Sequence, residues 1–284
     1  MDCEDCSKDT CVAKKKTPDE SQKEFFERQK LLSRLCKINQ KIIVLSGKGG
    51  VGKSTVSVNL AFGLLKAGKR VGLLDVDIHG PSIPTMLGLK NHRPKANQEG
   101  IVPLEVKGLK VMSVGLFLSN QDEAIIWRGP LKMGVIKQFL MDVNWGDLDY
   151  LIIDSPPGTG DEPLSVCQLI GDITGALIVT TPQRVAAVDV RKSITFCQQL
   201  NVPILGVIEN MSGFVCPKCG ELTMIMGNGG GRLICQDMGV RFLGSLPIDP
   251  SIVEACDNGK VFLDEYVFNP NVKLMEEIVQ KILD

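Results

Sequence analysis

The chain has 284 residues, 44% of them hydrophobic, and its 32 basic and 33 acidic side chains leave a formal net charge of −1. That is enough apolar material for one large or two small domains. The near-zero charge gives no support for nucleic-acid binding through bulk electrostatics. No stretch approaches 18 uninterrupted apolar residues, so no transmembrane helix is expected.

Residues 1–36 differ from the rest of the chain: sixteen are charged, eight of each sign, and glycine is absent. The opening MDCEDC is acidic and has no apolar run. It reads as neither a secretory signal nor a mitochondrial presequence, and a cytoplasmic protein is expected. Cys3, Cys6 and Cys11 lie in this polar tail. Pro18-Asp19-Glu20 suggests a helix start, and Phe25, Phe26, Gln29, Leu32 and Leu35 come after it at helical spacing. The expected organisation is a cysteine-bearing tail and linker helix over 1–36, then one domain over 37–284.

Ile42 to Leu45 reads as a buried strand, and Val56 to Lys66 as a helix. Between them lies Gly47-Lys48-Gly49-Gly50-Val51-Gly52-Lys53-Ser54-Thr55. This is G-x-x-x-x-G-K-[ST] in the strand–loop–helix context that a phosphate-binding loop requires. Glycines let the backbone curl so that successive N–H groups face phosphate oxygens, and the helix N-terminus adds partial positive charge. Lys53 would reach the outer phosphates of ATP, and Ser54 would hold Mg²⁺. Lys48, directly after the first glycine, narrows the class. GKGGVGKST resembles the deviant P-loop of the MinD, ParA, nitrogenase iron protein and Mrp ATPases. In those families this lysine reaches across a dimer interface to the partner's nucleotide. The resemblance implies an α/β P-loop NTPase with a mostly parallel central sheet and helices on both faces.

Arg70 to Leu74 reads as a second strand, delivering Asp75 and Asp77 to its C-terminal end. A parallel strand–helix–strand unit is expected, with both acids facing the phosphate crevice. DxDxxGPSxP resembles the switch region of the Mrp group in particular; His79 within it reads as a loop residue. Residues 91–108 are polar and broken by Pro94, Gly100, Pro103 and Gly108, with Ile101 to Val106 and Leu109 to Val114 as a hairpin and third strand. Trp127-Arg128-Gly129-Pro130 opens a helix.

Tyr150 to Ile153 forms a fourth strand ending at Asp154, the Walker B arrangement in which a carboxylate holds Mg²⁺ through water. DSPPGTGD comes next, close to the DxPPGTGD of the Mrp group. Further strands are expected over Ala176 to Thr180, Ile204 to Glu209 and Leu243 to Ile248, and helices over Val188 to Leu200 and Val272 to Leu283. Met224 to Gly231 reads as a loop. The C-terminal helix carries more acids than lysines, which argues for packing on the core rather than membrane docking. By resemblance, Asn210 of Glu209-Asn210-Met211-Ser212 occupies the adenine-reading position, and Pro247 lies where the family backbone meets the base.

Ten cysteines in a reducing compartment argue against disulfides. Cys36, Cys167, Cys197, Cys235 and Cys256 are scattered and read as small buried hydrophobes. Cys216-Pro217-Lys218-Cys219 is a C-x-x-C. A zinc ion or iron–sulfur cluster normally takes four ligands, so this pair needs two more. Half of a zinc ribbon and a redox pair are the other readings.

The four ordered motifs GKGGVGKST, DxDxxGPSxP, DSPPGTGD and ENMS-x3-CPKC identify residues 37–284 as similar to the Mrp family. Within it, the tail cysteines resemble the larger subunit of the eukaryotic cytosolic iron–sulfur scaffold ATPase. The resemblance implies a slow ATPase that assembles [4Fe–4S] clusters and passes them to cytosolic and nuclear apoproteins. It implies a cluster bridging Cys216 and Cys219 of two copies, in a homodimer or a heterotetramer with a shorter paralogue. It also implies catalytic roles for Lys48, Lys53 and Asp77, and Mg²⁺ at Ser54, Asp77 and Asp154. The family's tail binds a second [4Fe–4S] cluster through four cysteines; here there are three, and Cys6-x4-Cys11 is one residue shorter than the usual gap. A zinc-stabilised positioning ATPase of the MinD or ParA kind is the alternative. It would call for a basic DNA-binding face or a basic C-terminal helix, and neither membrane nor nucleic-acid partners are expected.

Overall fold

The structure, a computed structural model, describes residues 16–18, 20–78, 80–117, 129–183 and 185–284. Cys3, Cys6, Cys11, His79, Trp127 and Arg128 lie outside the described residues.

In chain order the elements are α1 (Gln22–Leu35), β1 (Ile38–Leu45), α2 (Lys53–Lys66), β2 (Val71–Asp75), α3 (Ile83–Met86) and the short strands β3 (Lys95–Asn97), β4 (Gly100–Val102) and β5 (Leu104–Val106). Then come β6 (Leu109–Ser113), α4 (Gly129–Asp142), β7 (Leu148–Asp154), α5 (Asp161–Ile170), β8 (Gly175–Thr180) and α6 (Ala186–Gln199). The chain ends with β9 (Ile204–Val215), β10 (Leu222–Thr223), α7 (Gly230–Met238), β11 (Phe242–Ile248), α8 (Pro250–Asp257), α9 (Phe262–Glu265) and α10 (Pro270–Leu283).

Among the described residues nine strands join one sheet. Its path runs β10-β9-β8-β1-β7-β2-β6-β5, and β11 pairs with β9. The pairings β11/β9, β9/β8, β8/β1, β1/β7, β7/β2 and β2/β6 are all parallel. Only β5 and β10 run antiparallel to their neighbours. The expected parallel unit β1-α2-β2 is present, but its strands are not neighbours: β7 lies between them. The chain builds outward from β1 through β2 and β6, then returns through β7 and crosses to β8. The reversal of strand order therefore sits at β1, where ligands of open parallel sheets gather beyond the strand ends.

The strands flanking this point are buried almost completely, and β2 and β8 have no exposed position. Strands covered on both faces read as continuous apolar runs, which is why they are recognisable by sequence. Helix α2 is buried over most of its length because α10 and α9 cover the side turned away from the sheet.

Helix α1 starts at a capping box rather than at Pro18. Ser21 accepts from Glu24 N, and the Glu24 carboxylate accepts from Ser21 N. Its buried residues are Leu31 and Leu35, while Phe26 stays exposed. Glu27–Lys137 (2.6 Å), Lys30–Asp142 (2.5 Å) and Arg34–Asn144 (3.2 Å) tie it to α4 and the segment beyond it.

Candidate functional site

The parallel register sets the site. Asp75 pairs with Asp154 between β2 and β7, and Val44 pairs with Asp154 between β1 and β7. Three strand ends therefore open side by side. The loop from Ser46 to Gly52 leaves β1 and turns into α2 through Gly50 and Gly52, with φ of 77° and 78°. Gly52 is needed twice over: for that left-handed backbone, and because a Cβ there would lie 2.2 Å from Asn210 Nδ2.

A cavity of about 240 Å³ opens here, bounded by Gly49, Gly50, Gly52, Lys53, Ser54 and Asp77 among others. Ser46 also lines it; its hydroxyl is fully buried and has no hydrogen-bond partner. An orphaned hydroxyl beside a ring of loop amides suits an oxygen-rich anion. Sequence reasoning did not single out Ser46.

Asp154 is the hub beneath the cavity. It is fully buried, 2.8 Å from Lys53 Nζ, and accepts from Ser54 Oγ (2.6 Å) and Ser57 Oγ (2.7 Å). Ser54 and Asp77 line the cavity and Asp154 lies directly behind Ser54, a set of oxygen ligands that fits a hard divalent cation such as Mg²⁺. Asp77 lines the cavity, and Gly80 N donates to it at 3.3 Å. Asp75 does not face the crevice as expected. It is fully buried, accepting from Ser113 Oγ (2.8 Å) and Asp77 N (3.1 Å). Burial and the neighbouring Asp154 charge push its carboxyl above the usual range. The loop after β7 is tied to the base of the phosphate loop, Gly158 N donating to Ser46 O at 2.7 Å.

Lys48 Nζ lies 3.3 Å from Gln183 Oε1 of its own chain. Asn210, almost buried within β9, donates its amide to Val51 O at 2.9 Å. This bond uses one of the two amide hydrogens and ties the end of β9 to the phosphate loop.

Strand β9 runs past its expected end at Glu209 to Val215, one residue before Cys216. Gly220 N donates to Cys216 O (2.8 Å) and Cys216 N to Glu221 O (2.9 Å), closing a tight turn. Cys219 is exposed and Cys216 half-buried. The backbone N–H groups of Cys219 and Lys218 point at the Cys216 sulfur and hold its thiol below the usual range. Among the described residues no group of three or more Cys, His, Asp or Glu side chains could hold a metal ion. Further ligands to the pair would come from the tail or from a second chain.

The remaining cysteines divide. Burial pushes the thiols of Cys167, Cys197 and Cys235 up to about 11, about 12 and about 11. Cys256 is half-buried, and Cys36 is exposed against expectation, because α1 turns it away from the core. Among the described residues no helix is long and apolar enough to cross a membrane.

The comparisons with known proteins converge on this geometry. The family profile described as ParA, NUBPL iron-transfer P-loop NTPase, matches residues 37–283. The iron-sulfur cluster carrier protein of Methanocaldococcus jannaschii is 51% identical over 277 residues, covering 96% of each chain. The cytosolic Fe-S cluster assembly factor NUBP2 homolog of Trichoplax adhaerens is 48% identical, covering 87% of this chain and 95% of its own. Among solved structures, a nucleotide-binding protein from Archaeoglobus fulgidus in complex with ADP superposes with a TM-score of 0.76. It has 41% identity and covers 87% of this chain and 95% of its own. MinD from Pyrococcus horikoshii, at 20% identity and a TM-score of 0.63 over 86% of this chain and 96% of its own, shares the fold. The phosphate loop, the parallel sheet and the cysteine pair beyond an adjoining strand all lie within the matched residues, and the chain belongs to the NUBPL-type iron-transfer family of P-loop NTPases.

Proposed function

We propose that this protein is an ATP-dependent scaffold that assembles a [4Fe–4S] cluster between two copies and hands it to cytosolic and nuclear apoproteins. The observation that carries this reading is the Cys216/Cys219 turn. It is an accessible thiol pair, lacking further ligands among the described residues, at the end of the strand that also holds the phosphate loop through Asn210. Four cysteines from two copies complete a cluster's ligand set. Val215, Leu222, Met224 and Ile225 around the turn are exposed, an apolar rim suited to cover by a second copy.

ATP binds with its phosphates over residues 47–54. Lys53 turns from Asp154 to the outer phosphates, and Lys48 leaves Gln183 to reach the nucleotide of the other copy. Ser54, Asp77 and Asp154 would hold Mg²⁺, which would supply positive charge against the phosphate oxygens. Asp77 orients the attacking water. Hydrolysis moves the loops after β2 and β7, and β9 carries the change to the cysteine turn. The assembly is a homodimer or a heterotetramer with a shorter paralogue, in the cytoplasm. Cys3, Cys6 and Cys11 hold a second cluster, completed by a ligand from elsewhere.

The test is anaerobic reconstitution with iron and sulfide, then labile-iron and zinc analysis and absorbance near the thiolate-to-iron region. The intact protein is run beside Cys216→Ala/Cys219→Ala and a form lacking residues 1–12. Brown protein whose iron falls in the double variant is expected, with a further fall on truncation. Colourless protein holding stoichiometric zinc would replace this reading with a zinc-stabilised positioning ATPase.

A further inference from the structure

We propose that Cys216 and Cys219 close into a disulfide with each other by exchange with a small disulfide of the glutathione class, and that the closed pair takes no iron. The inference deepens the proposed function and rests on it for the part that concerns iron; closure itself needs one chain alone.

The two cysteines share one hairpin loop. Strands β9 and β10 pair antiparallel through Phe214 with Thr223 and Val215 with Leu222, so residues 216–221 are the loop between them. Cys216 N donates to Glu221 O at 2.9 Å across its mouth, and Gly220 N donates to Cys216 O at 2.8 Å. Gly220, with φ of 75°, takes the left-handed backbone that turns the chain back after Cys219. The ring of Pro217 fixes φ at the position after Cys216. This turn brings the two side chains together, and the Cys219 thiol is hydrogen-bonded to the Cys216 sulfur. Sulfurs already in contact reach bonding geometry by rotation of their side chains, while the ladder of β9 and β10 stays as it is.

Exposure sets the order of the steps. Cys219 is exposed and Cys216 half-buried. The Cys219 sulfur attacks one sulfur of the small disulfide, and the thiolate it displaces takes up the proton that Cys219 gives away. The Cys216 sulfur then attacks Cys219 in the mixed disulfide and displaces the second small thiolate, which takes the Cys216 proton. In sum the small disulfide becomes two thiols, and the protein gives up two electrons and two protons. Iron is held by thiolate sulfur. In the closed pair each sulfur is bonded to the other, so neither is a thiolate until a small thiol reopens the bond. Cys36 offers an internal control: it is exposed, but its thiol donates to Ser33 O at 3.3 Å.

In the test, metal-free full chain is equilibrated anaerobically with mixtures of reduced and oxidised glutathione, and free thiols are then alkylated. A glutamate-specific protease releases both cysteines in the peptide between Glu209 and Glu221. Its mass should fall by two hydrogens with neither sulfur alkylated, whereas the Cys36 peptide should carry a glutathionyl group. In Cys216→Ser, which lacks the second thiol, Cys219 should keep its glutathionyl group. Iron uptake by the oxidised full chain should fall at least to that of Cys216→Ala/Cys219→Ala, and return when dithiothreitol reopens the bond. Three results in the unaltered protein would overturn the inference: glutathionyl groups on both cysteines, both thiols still alkylated in the most oxidising mixture, or a disulfide joining these peptides from two chains. Undiminished iron uptake by closed protein would overturn it too. Failure of the reduced protein to take iron would refute the proposed function instead, leaving closure as a property of the hairpin.

Discussion

Lys48 Nζ and Gln183 Oε1 lie 3.3 Å apart within a single chain. The residue proposed to act on a partner's nucleotide thus contacts a side chain of its own chain. Gln183 comes directly after Pro182 in the loop beyond β8, so release of Lys48 depends on a segment outside the phosphate loop. In Lys48→Ala, steady-state ATP hydrolysis should fall about 10²-fold, the usual cost of one transition-state donor. Binding of ADP should change far less, because the lysine acts on the nucleotide of the other copy. A loss of ADP affinity as large as the loss of rate would show that Lys48 serves its own site.

The second prediction concerns Asp154, which is fully buried and 2.8 Å from a Lys53 that is itself 6% exposed. Asp154→Asn removes the charge that compensates the Lys53 ammonium. Breaking a buried pair by neutralising one partner costs about 3–5 kcal/mol. Urea denaturation of the nucleotide-free variant should show a loss of that order, and hydrolysis should be abolished. A variant as stable as the parent would mean that Asp75, relieved of the Asp154 charge, compensates Lys53 in its place.

The motifs around these residues are legible in the sequence because a phosphate loop constrains every backbone torsion within a few residues. The buried strands are legible because both faces are covered. The extension of β9 beyond Glu209 is not, because Met211 (φ 58°) and Gly213 (φ 86°) break the regular pattern. Helix α7 is hidden behind a glycine-rich start at Gly230 and Gly231, and tertiary contacts define it. A Cβ at Gly230 would lie 2.5 Å from Pro182 O, so the helix begins against that loop. Ser46, Asn59 and Asn271 carry no local signal at all. Their oxygens are left unpartnered only once β1, α2 and α10 are packed. The cysteine pair is legible as a spacing, but its place at the end of the strand bearing Asn210 is not.

A third prediction concerns the lower end of the sheet. Arg70 donates to Asp149 through Nη2 at 2.9 Å and backbone N at 2.8 Å, joining the starts of β2 and β7. The guanidinium holds the Asp149 carboxyl down to about 2, below its ordinary 3.8. A depressed carboxylate stabilises the fold above its unfolded value and loses that contribution as pH falls through the folded one. Stability should therefore decline between about pH 4 and about pH 2, and less steeply in Asp149→Asn. Urea midpoints at several pH values check this; parallel declines in the two proteins would assign the acid sensitivity to other carboxylates.

The last prediction addresses the proposed communication between the nucleotide site and the cysteine turn. Glu209 is 1% exposed and accepts from Ser212 Oγ (2.6 Å) and Gly231 N (2.7 Å), while its neighbour Asn210 holds Val51 of the phosphate loop. One dipeptide of β9 thus touches the phosphate loop, the start of α7 and the segment leading to Cys216. If loop motion reaches the cysteines through this strand, loosening Glu209 should uncouple the two ends without removing either. Glu209→Ala leaves the Gly231 N–H without its acceptor, at a cost of about 1–3 kcal/mol. Hydrolysis should persist, whereas the rate at which a chelator strips iron from reconstituted protein should no longer differ between ATP and ADP. An unaltered nucleotide dependence of iron release in a folded variant would move the coupling away from β9 and towards direct contact between the two copies.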